Sequence, residues 1–138
     1  MKKLIVLALL AFAGFSTGRL ASAQTRQVQG QVPFDFTAGS ARLSAGEYRI
    51  TYDQSGLASF HNLTNGHTVL MFVGADRGVK DGSCKLIFSL YGDQHFLKQS
   101  VCGPANVNFF LPAYSREKLA RERAAITEDG PQTIVAIK

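Results

Sequence analysis

The residues of this chain that could do chemistry are few, and the histidines are the first to consider. They are His61, His67 and His95, whereas a zinc site requires three or four ligands that converge on one point. On the β-hairpin that Asn65-Gly66 predicts, His61 and His67 lie on opposite faces, and His95 belongs to another hairpin. We therefore predict no metal site and expect three surface histidines in ordinary hydrogen bonds.

Ser59 and His61 could begin a pairing of a nucleophile with a base, since they lie two residues apart. Side chains at this spacing on a strand are well separated, and the sequence offers no acid to orient the histidine. The sequence also contains no phosphate-binding loop, no nucleophile elbow and no zinc-protease motif. It thus predicts no catalytic residue, no cofactor and no enzyme, and hydrolysis is the weakest hypothesis.

The first 23 residues have the pattern of a secretory signal peptide. Lys2 and Lys3 precede an apolar run over 4–15, and Ala-Ser-Ala follows at 21–23. The run is shorter than the roughly 20 residues that span a bilayer as a helix. We predict cleavage after Ala23, a single domain over 24–138, and a secreted or periplasmic protein with no membrane span after cleavage.

Cleavage changes the charge of the protein. It removes Lys2, Lys3 and Arg19 and no acidic residue, so the formal net charge falls from +5 to +2. A charge of this size gives no reason to expect nucleic acid or an anionic membrane as a partner. The sequence leaves the oligomeric state open.

Cys84 and Cys102 are the two cysteines of the chain. In an oxidising compartment such a pair is expected to form a disulfide. The alternative is two free thiols, one of them reactive, but no base lies nearby in the sequence.

The segment between the cysteines predicts a β-hairpin that turns at Gly92-Asp93. A two-residue loop places the apolar residues on one face, whereas a three-residue loop sets Cys84 opposite Cys102. The two registers differ by one residue. A β-bulge between the turn and the cysteines would reconcile them.

Most of the remaining chain predicts strands. Period-2 alternation marks 27–36, where Pro33 suggests an edge position or a bulge, and 47–53, where Tyr48, Ile50 and Tyr52 alternate with polar residues. Further strands are expected over 57–62, 106–111 and 133–137, and a polar loop over 74–83.

The Asn65-Gly66 turn predicts a hairpin in which paired residue numbers sum to 131. This pairing places one set of side chains on the face expected to form the core. That set is Ala58, Phe60, Val69, Met71 and Val73.

One helix is predicted over 115–126, with Ser115 as its N-cap. The pair Glu117 and Arg121 has the spacing of a stabilising ion pair on a helix. The apolar stripe consists of Leu119 and Ile126, helped by Ala120, so we expect the helix to lie on the surface of a sheet. Its basic and acidic residues interleave, which favours a solvated face over a basic binding face.

Seven to nine short strands with one C-terminal helix predict a mainly β fold, either an antiparallel sandwich or a small barrel.

Three stretches of the chain resemble a family of short, uncharacterised secreted proteins of acidobacterial type. They are PFDFTAGSARLSAGEYRI (33–50), KLIFSLYGDQHFL (85–97) and LPAYSREKLARERA (111–124). The resemblance implies a mainly β domain with a late short helix and implies no activity. Family members have Pro where Ser44 stands and an aromatic residue where His95 stands, so a pocket shaped by these positions would differ here.

Two classes of function remain. The first is an exported, non-catalytic domain with a binding or structural role, whose partner is an envelope or extracellular protein, for example at an exposed strand edge. The alternative is a small β-barrel that carries an apolar small molecule. In that case Tyr48, Tyr91 and His95 are the residues expected to face the ligand.

Overall fold

A computed structural model describes residues 26–77, 82–125 and 130–138. The predicted signal peptide and Ile126 lie outside the described residues. The described chain is mainly β with one short helix. Its elements are β1 (Arg26–Val32), β2 (Phe36–Ala38), β3 (Ala41–Leu43), β4 (Gly46–Tyr52), β5 (Leu57–Asn62), β6 (Thr68–Phe72), β7 (Gly74–Ala75), β8 (Cys84–Tyr91), β9 (Gln94–Cys102), β10 (Phe109–Phe110), α1 (Ser115–Arg123) and β11 (Gln132–Ala136).

The strands form two curled sheets that together make a half-barrel. The first sheet is antiparallel and has the order β1-β4-β5-β6, and the second has the order β11-β8-β9-β10-β7. The amide of Gln29 donates to the carbonyl of Lys138 at 2.7 Å, and the amide of Lys138 donates to the carbonyl of Gln29 at 2.8 Å, so β1 is tied to the chain just after β11. The mainly β fold with one helix is therefore confirmed.

One pairing in the second sheet is parallel, which the prediction of an antiparallel fold did not include. β8 pairs along one edge of β9, and the opposite edge is shared by β2 and β10. β2 runs parallel to β9, with Phe36 beside His95 and Thr37 beside Phe96. This pairing brings the segment after Pro33 to the turn between β8 and β9.

Aromatic rings fill the interior between the sheets. Phe36 meets Phe88 edge to face, with centroids 5.3 Å apart, and Phe60 meets Phe109 at 6.0 Å. All four are at most 2% exposed. Full burial of such a side chain contributes roughly 1.5–3 kcal/mol to stability. Tyr48, Ile50 and Tyr52 also face inward, as their alternation predicts.

The predicted strand over 27–36 is wrong at its end. β1 stops at Val32, directly before Pro33, because proline has no N–H to donate to a ladder. The chain resumes as β2 at Phe36, which joins the other sheet. Pro33 therefore marks the crossing from one sheet to the other.

The β5–β6 hairpin has the predicted core face but a different register. Paired residues sum to 129, as in Phe60 with Val69, and not to 131. The Oδ1 atom of Asn62 accepts hydrogen bonds from the backbone amides of Thr64 and Asn65, at 2.8 and 3.2 Å. The turn therefore begins earlier than Asn65-Gly66 alone suggests. A shift of two leaves every side chain on its predicted face.

The β8–β9 hairpin contains both registers that the sequence allows. Tyr91 pairs with Gln94 across a two-residue turn, whereas Cys84 pairs with Cys102, and the shift lies between Ile87 and Phe88. The disulfide Cys84–Cys102 is present. The bulge that reconciles turn and disulfide is confirmed, and Lys98 is the extra residue on β9.

Several boundaries differ from the prediction. Gly74–Ala75 forms β7 within the predicted loop, because it pairs with β10. The strand predicted over 106–111 shrinks to β10, since the buried Asn108 side chain bonds to the amide of Cys102 and holds the preceding segment in a turn. The last strand lies one residue earlier, at β11. These short strands raise the number of strands above the expected nine.

The helix also departs from the prediction. The N-cap is Tyr114 rather than Ser115, with no capping hydrogen bond from a side chain. Leu119, predicted to anchor the helix, is 47% exposed, and the buried residues of α1 are Glu117 and Ala120. Of the predicted apolar stripe, Ala120 is buried, Leu119 does not anchor the helix, and Ile126 lies outside the described residues.

Candidate functional site

A groove with a volume of about 560 Å³ lies between the start of β2, the β8–β9 turn and α1. Its walls come from 34–37, from 93–96 and from one face of the helix, with Arg42 of β3 at the rim. We call it the arginine groove, after Arg42, Arg116 and Arg123. The parallel pairing of β2 with β9 creates it, because this pairing brings the segment after Pro33 beside His95.

Two stacked rings line the groove. The rings of Phe34 and His95 lie nearly parallel, 12° apart in plane, with centroids separated by 3.8 Å. The edge-to-face contact of Phe34 with Phe88, at 5.1 Å, fixes this pair to the core. Burial lowers the pKa of His95 below its ordinary value, which favours the neutral imidazole at pH 7. Both residues line the groove, and because their rings stack on each other, each offers its outer face and its edge to a ligand.

Three arginines surround this aromatic surface. Arg42, Arg116 and Arg123 are all exposed, and none forms an ion pair with a carboxylate of the described residues. The groove also contains Asp35 and Asp93. Asp35 accepts a hydrogen bond from the amide of Ala45 at 2.8 Å, which fixes it beside the turn before β4. The lining therefore carries one net positive charge.

A buried carboxylate fixes the helical wall of the groove. Glu117 is 4% exposed, and its Oε1 atom accepts hydrogen bonds from Lys98 Nζ at 2.7 Å and from the Tyr91 hydroxyl at 3.2 Å. The guanidinium of Arg121 lies 3.6 Å from the same oxygen and 5.6 Å from the centroid of the Tyr91 ring. The predicted pair of Glu117 with Arg121 is thus present within a larger network.

An apolar contact supports this network. Tyr91, Phe96 and Ala120 are buried together, with Ala124 packed against them, on the side of the second sheet that faces α1. Polar contacts made with good geometry in a site of low dielectric are stronger than the same contacts in water. The helix is therefore held in place by one carboxylate and a few small apolar contacts.

The three residues predicted to face a ligand lie in different surroundings. His95 lines the groove. Tyr48 is buried against Phe36, and its hydroxyl donates to the carbonyl of Ser44 at 2.6 Å. Tyr91 is buried beneath α1, in contact with Glu117. The structure thus brings one of the three to the groove and places the other two in packed, hydrogen-bonded positions.

The histidine considered for catalysis bonds to a threonine of the neighbouring strand. His61 shares a hydrogen bond of 2.6 Å between its Nδ1 atom and Thr68 Oγ1, across the β5–β6 pair. Within the described part of the chain, no three residues among His, Cys, Asp and Glu are placed to hold a metal ion.

A second cavity, of about 440 Å³, lies where β1 meets the segment after β11, near Gln29 and Lys138. Among the described residues, those that line it include no arginine and no aromatic ring. The arginine groove is therefore the richer of the two in groups that could recognise a ligand.

Sequence reasoning missed most of the groove. Its arginines belong to β3 and α1, and the parallel β2–β9 pairing that brings these elements together has no local signal. The interleaved charges of α1 suggested a solvated face. Of the residues predicted to face a ligand, His95 is the one that lies in the groove.

Comparison of the chain with protein-family models, curated proteins and solved structures finds no match. The resemblance to the secreted family of acidobacterial type therefore stays a prediction. No helix among the described residues has the length and apolar character needed to cross a membrane.

Proposed function

We propose that this chain is an exported, non-catalytic binding module that takes up its ligand in the arginine groove. The observation that carries the proposal is the combination, around one cavity, of a stacked aromatic pair and three arginines that pair with no carboxylate of the described residues. Ligand sites typically have this character, with a concave surface, apolar or aromatic walls and a few convergent polar groups.

The disulfide supports an extracytoplasmic location for the module. Such bonds persist in secreted and periplasmic proteins and are rare where thiols are kept reduced. Cys84 and Cys102 are bonded here, and this agrees with the export that the N-terminal sequence predicts.

We place the ligand in the groove rather than between the sheets. The interior rings of Phe36, Phe88 and Phe109 contact one another or neighbouring rings, with centroids between 5.1 and 6.0 Å apart. Packed rings at such distances use the volume that an apolar ligand in a barrel would require.

The proposal is tested by looking for a bound component and then blocking the groove. Native mass spectrometry of the protein purified from a bacterial envelope fraction, with a denatured control, reveals a bound ligand. A thermal-shift screen with small molecules and oligosaccharides from envelope and extracellular material covers ligands lost during purification.

Leu119→Trp places a larger side chain in the groove at an exposed helix position. We expect it to remove the bound component or the thermal shift. Leu70→Trp is the matched control, because Leu70 is also exposed, at 61%, and lies on β6 away from the groove. Equal binding by the two variants, or no ligand for the wild-type protein in either experiment, would overturn the proposal.

A further inference from the structure

The arrangement of groups in the groove also points to the chemistry of its ligand. We infer that the groove binds an acidic saccharide, that is, a sugar carrying carboxylates such as a uronic acid. This inference rests on the proposed function, since it requires the groove to be the binding site.

The arginines indicate that the ligand is an anion. Guanidinium groups present planar, paired N–H donors that fit the two oxygens of a carboxylate. Arg42 lies on the β3 side of the groove, and Arg116 and Arg123 lie on the helix side. None of them forms an ion pair with a described carboxylate, so all three are available to an incoming anion.

The stacked pair indicates that the ligand also has a ring. An aromatic face carries partial negative charge and attracts the weakly positive C–H groups of a sugar ring laid flat against it. The outer face of the stacked Phe34 and His95 pair is the surface proposed for this contact, and the lowered pKa of His95 leaves the positive charge of the groove to the arginines. A small inorganic anion would leave this surface unused.

The remaining polar groups distinguish a sugar from an apolar acid. Thr37, Gln94, Asp35 and Asp93 line the same cavity. Hydroxyl groups of a sugar can donate to the carboxylates and accept from the amide of Gln94. An apolar acid, such as a fatty acid, would cover these groups without bonding to them, which is costly.

The size of the groove favours a short saccharide. Its volume of about 560 Å³ lies within the range of roughly 300–1,000 Å³ that is typical of small-ligand sites. The groove is therefore suited to a few sugar units.

The probe for the experiment is tetragalacturonate, titrated into the purified protein by calorimetry. Its methyl ester is the matched control, because it has the same ring skeleton without the charges, and maltotetraose is a neutral control. We expect saturable binding of tetragalacturonate, at least tenfold weaker binding of both controls, and affinity that falls as NaCl rises from about 50 to about 500 mM.

Two variants test the arginines. Arg42→Gln and Arg116→Gln are each expected to weaken the binding of tetragalacturonate by about tenfold, because each loses a charge-assisted pair. Arg49→Gln is the matched control, since Arg49 is exposed on β4 and does not line the groove. Its affinity is expected to stay within about twofold of the wild-type value.

Each other outcome overturns the inference. Equal affinity for the methyl ester excludes the role of charge, and equal affinity for citrate or inorganic phosphate excludes the role of the sugar ring. No saturable binding of tetragalacturonate up to about 10 mM excludes an acidic saccharide. If another ligand then binds the wild-type protein but not Leu119→Trp, the binding module stands and the ligand class is wrong.

Discussion

The buried carboxylate of Glu117 holds α1 against the sheet. Replacing Glu117 by a neutral residue tests whether this charge anchors the helix. We expect Glu117→Gln to lower the free energy of unfolding by about 2 kcal/mol. The substitution preserves the size of the side chain and one acceptor oxygen. It removes the negative charge that Lys98 contacts at 2.7 Å and Arg121 at 3.6 Å.

The magnitude follows from the burial of the two partners. The side chains of Glu117 and Lys98 are 5% and 18% exposed, which places the pair near the buried limit. Breaking a buried pair costs roughly 3–5 kcal/mol, whereas an exposed pair contributes about 0–1 kcal/mol. Glutamine retains a neutral acceptor, so a value of about 2 kcal/mol is expected, or roughly 8 °C in Tm for a domain of this size.

Urea unfolding followed by far-UV circular dichroism measures the effect. Glu122→Gln is the matched control, because Glu122 lies on the exposed face of the same helix, and it should change the unfolding free energy by less than about 0.5 kcal/mol. The double variant Glu117→Leu with Lys98→Met should be less destabilised than either of its single variants, since both charges disappear together.

The result that would refute this account is a loss for Glu117→Gln no larger than that for Glu122→Gln. It would mean that the small apolar contacts of Phe96 and Ala120 suffice to hold the helix.

Two further predictions concern the disulfide and the pH. Replacing Cys84 and Cys102 together by Ser should lower the unfolding free energy by about 3 kcal/mol, because the bond closes a loop with a sequence separation of 18; an unchanged urea midpoint would contradict this. Burial lowers the pKa of His95 in the folded protein below 6.5, so below about this pH the unfolded chain takes up a proton more readily than the folded protein. The free energy of unfolding that depends on His95 is therefore fully present above about pH 6.5 and declines as the pH falls. Stability should therefore fall more steeply between about pH 7 and pH 5 in the wild-type protein than in His95→Gln, and equal slopes in urea unfolding would refute the assignment.

The long strands could be predicted from the sequence because each carries its own alternation. In β4, Tyr48, Ile50 and Tyr52 alternate with polar residues, and burial follows this period along the strand. The face of the β5–β6 hairpin could be predicted for the same reason, even though its register could not. A shift of two residues preserves the face, so the hydrophobic pattern does not distinguish the two pairings.

The short strands could not be predicted because their partners define them. β7 and β10 have two residues each, and they are strands only because they pair with each other and β10 with β9. The same is true of β2, whose three residues join the second sheet after Pro33 ends β1. Local propensity contains little information about such pairings.

The anchoring of α1 escaped prediction for a different reason. Hydrophobic patterning assigns the buried face of a helix to its apolar residues, and of these Ala120 is buried whereas Leu119 is 47% exposed. Glu117 is buried instead, because Lys98, Tyr91 and Arg121 surround its carboxylate. A buried charge of this kind depends on partners from distant segments of the chain, and these partners cannot be identified from the sequence of the helix.

The bulge in β9 links the register of the β8–β9 hairpin to the anchoring of α1, neither of which the sequence alone determined. The hairpin must satisfy a two-residue turn at one end and a disulfide at the other, and the extra residue that reconciles them is Lys98. That same residue reaches Glu117 and so fixes the position of α1 over the groove. The irregularity that makes the register ambiguous therefore supplies the cation on which the helical wall rests. Bulges often reorient one side chain. Here that side chain is Lys98, whose contact with Glu117 supports the proposed binding site.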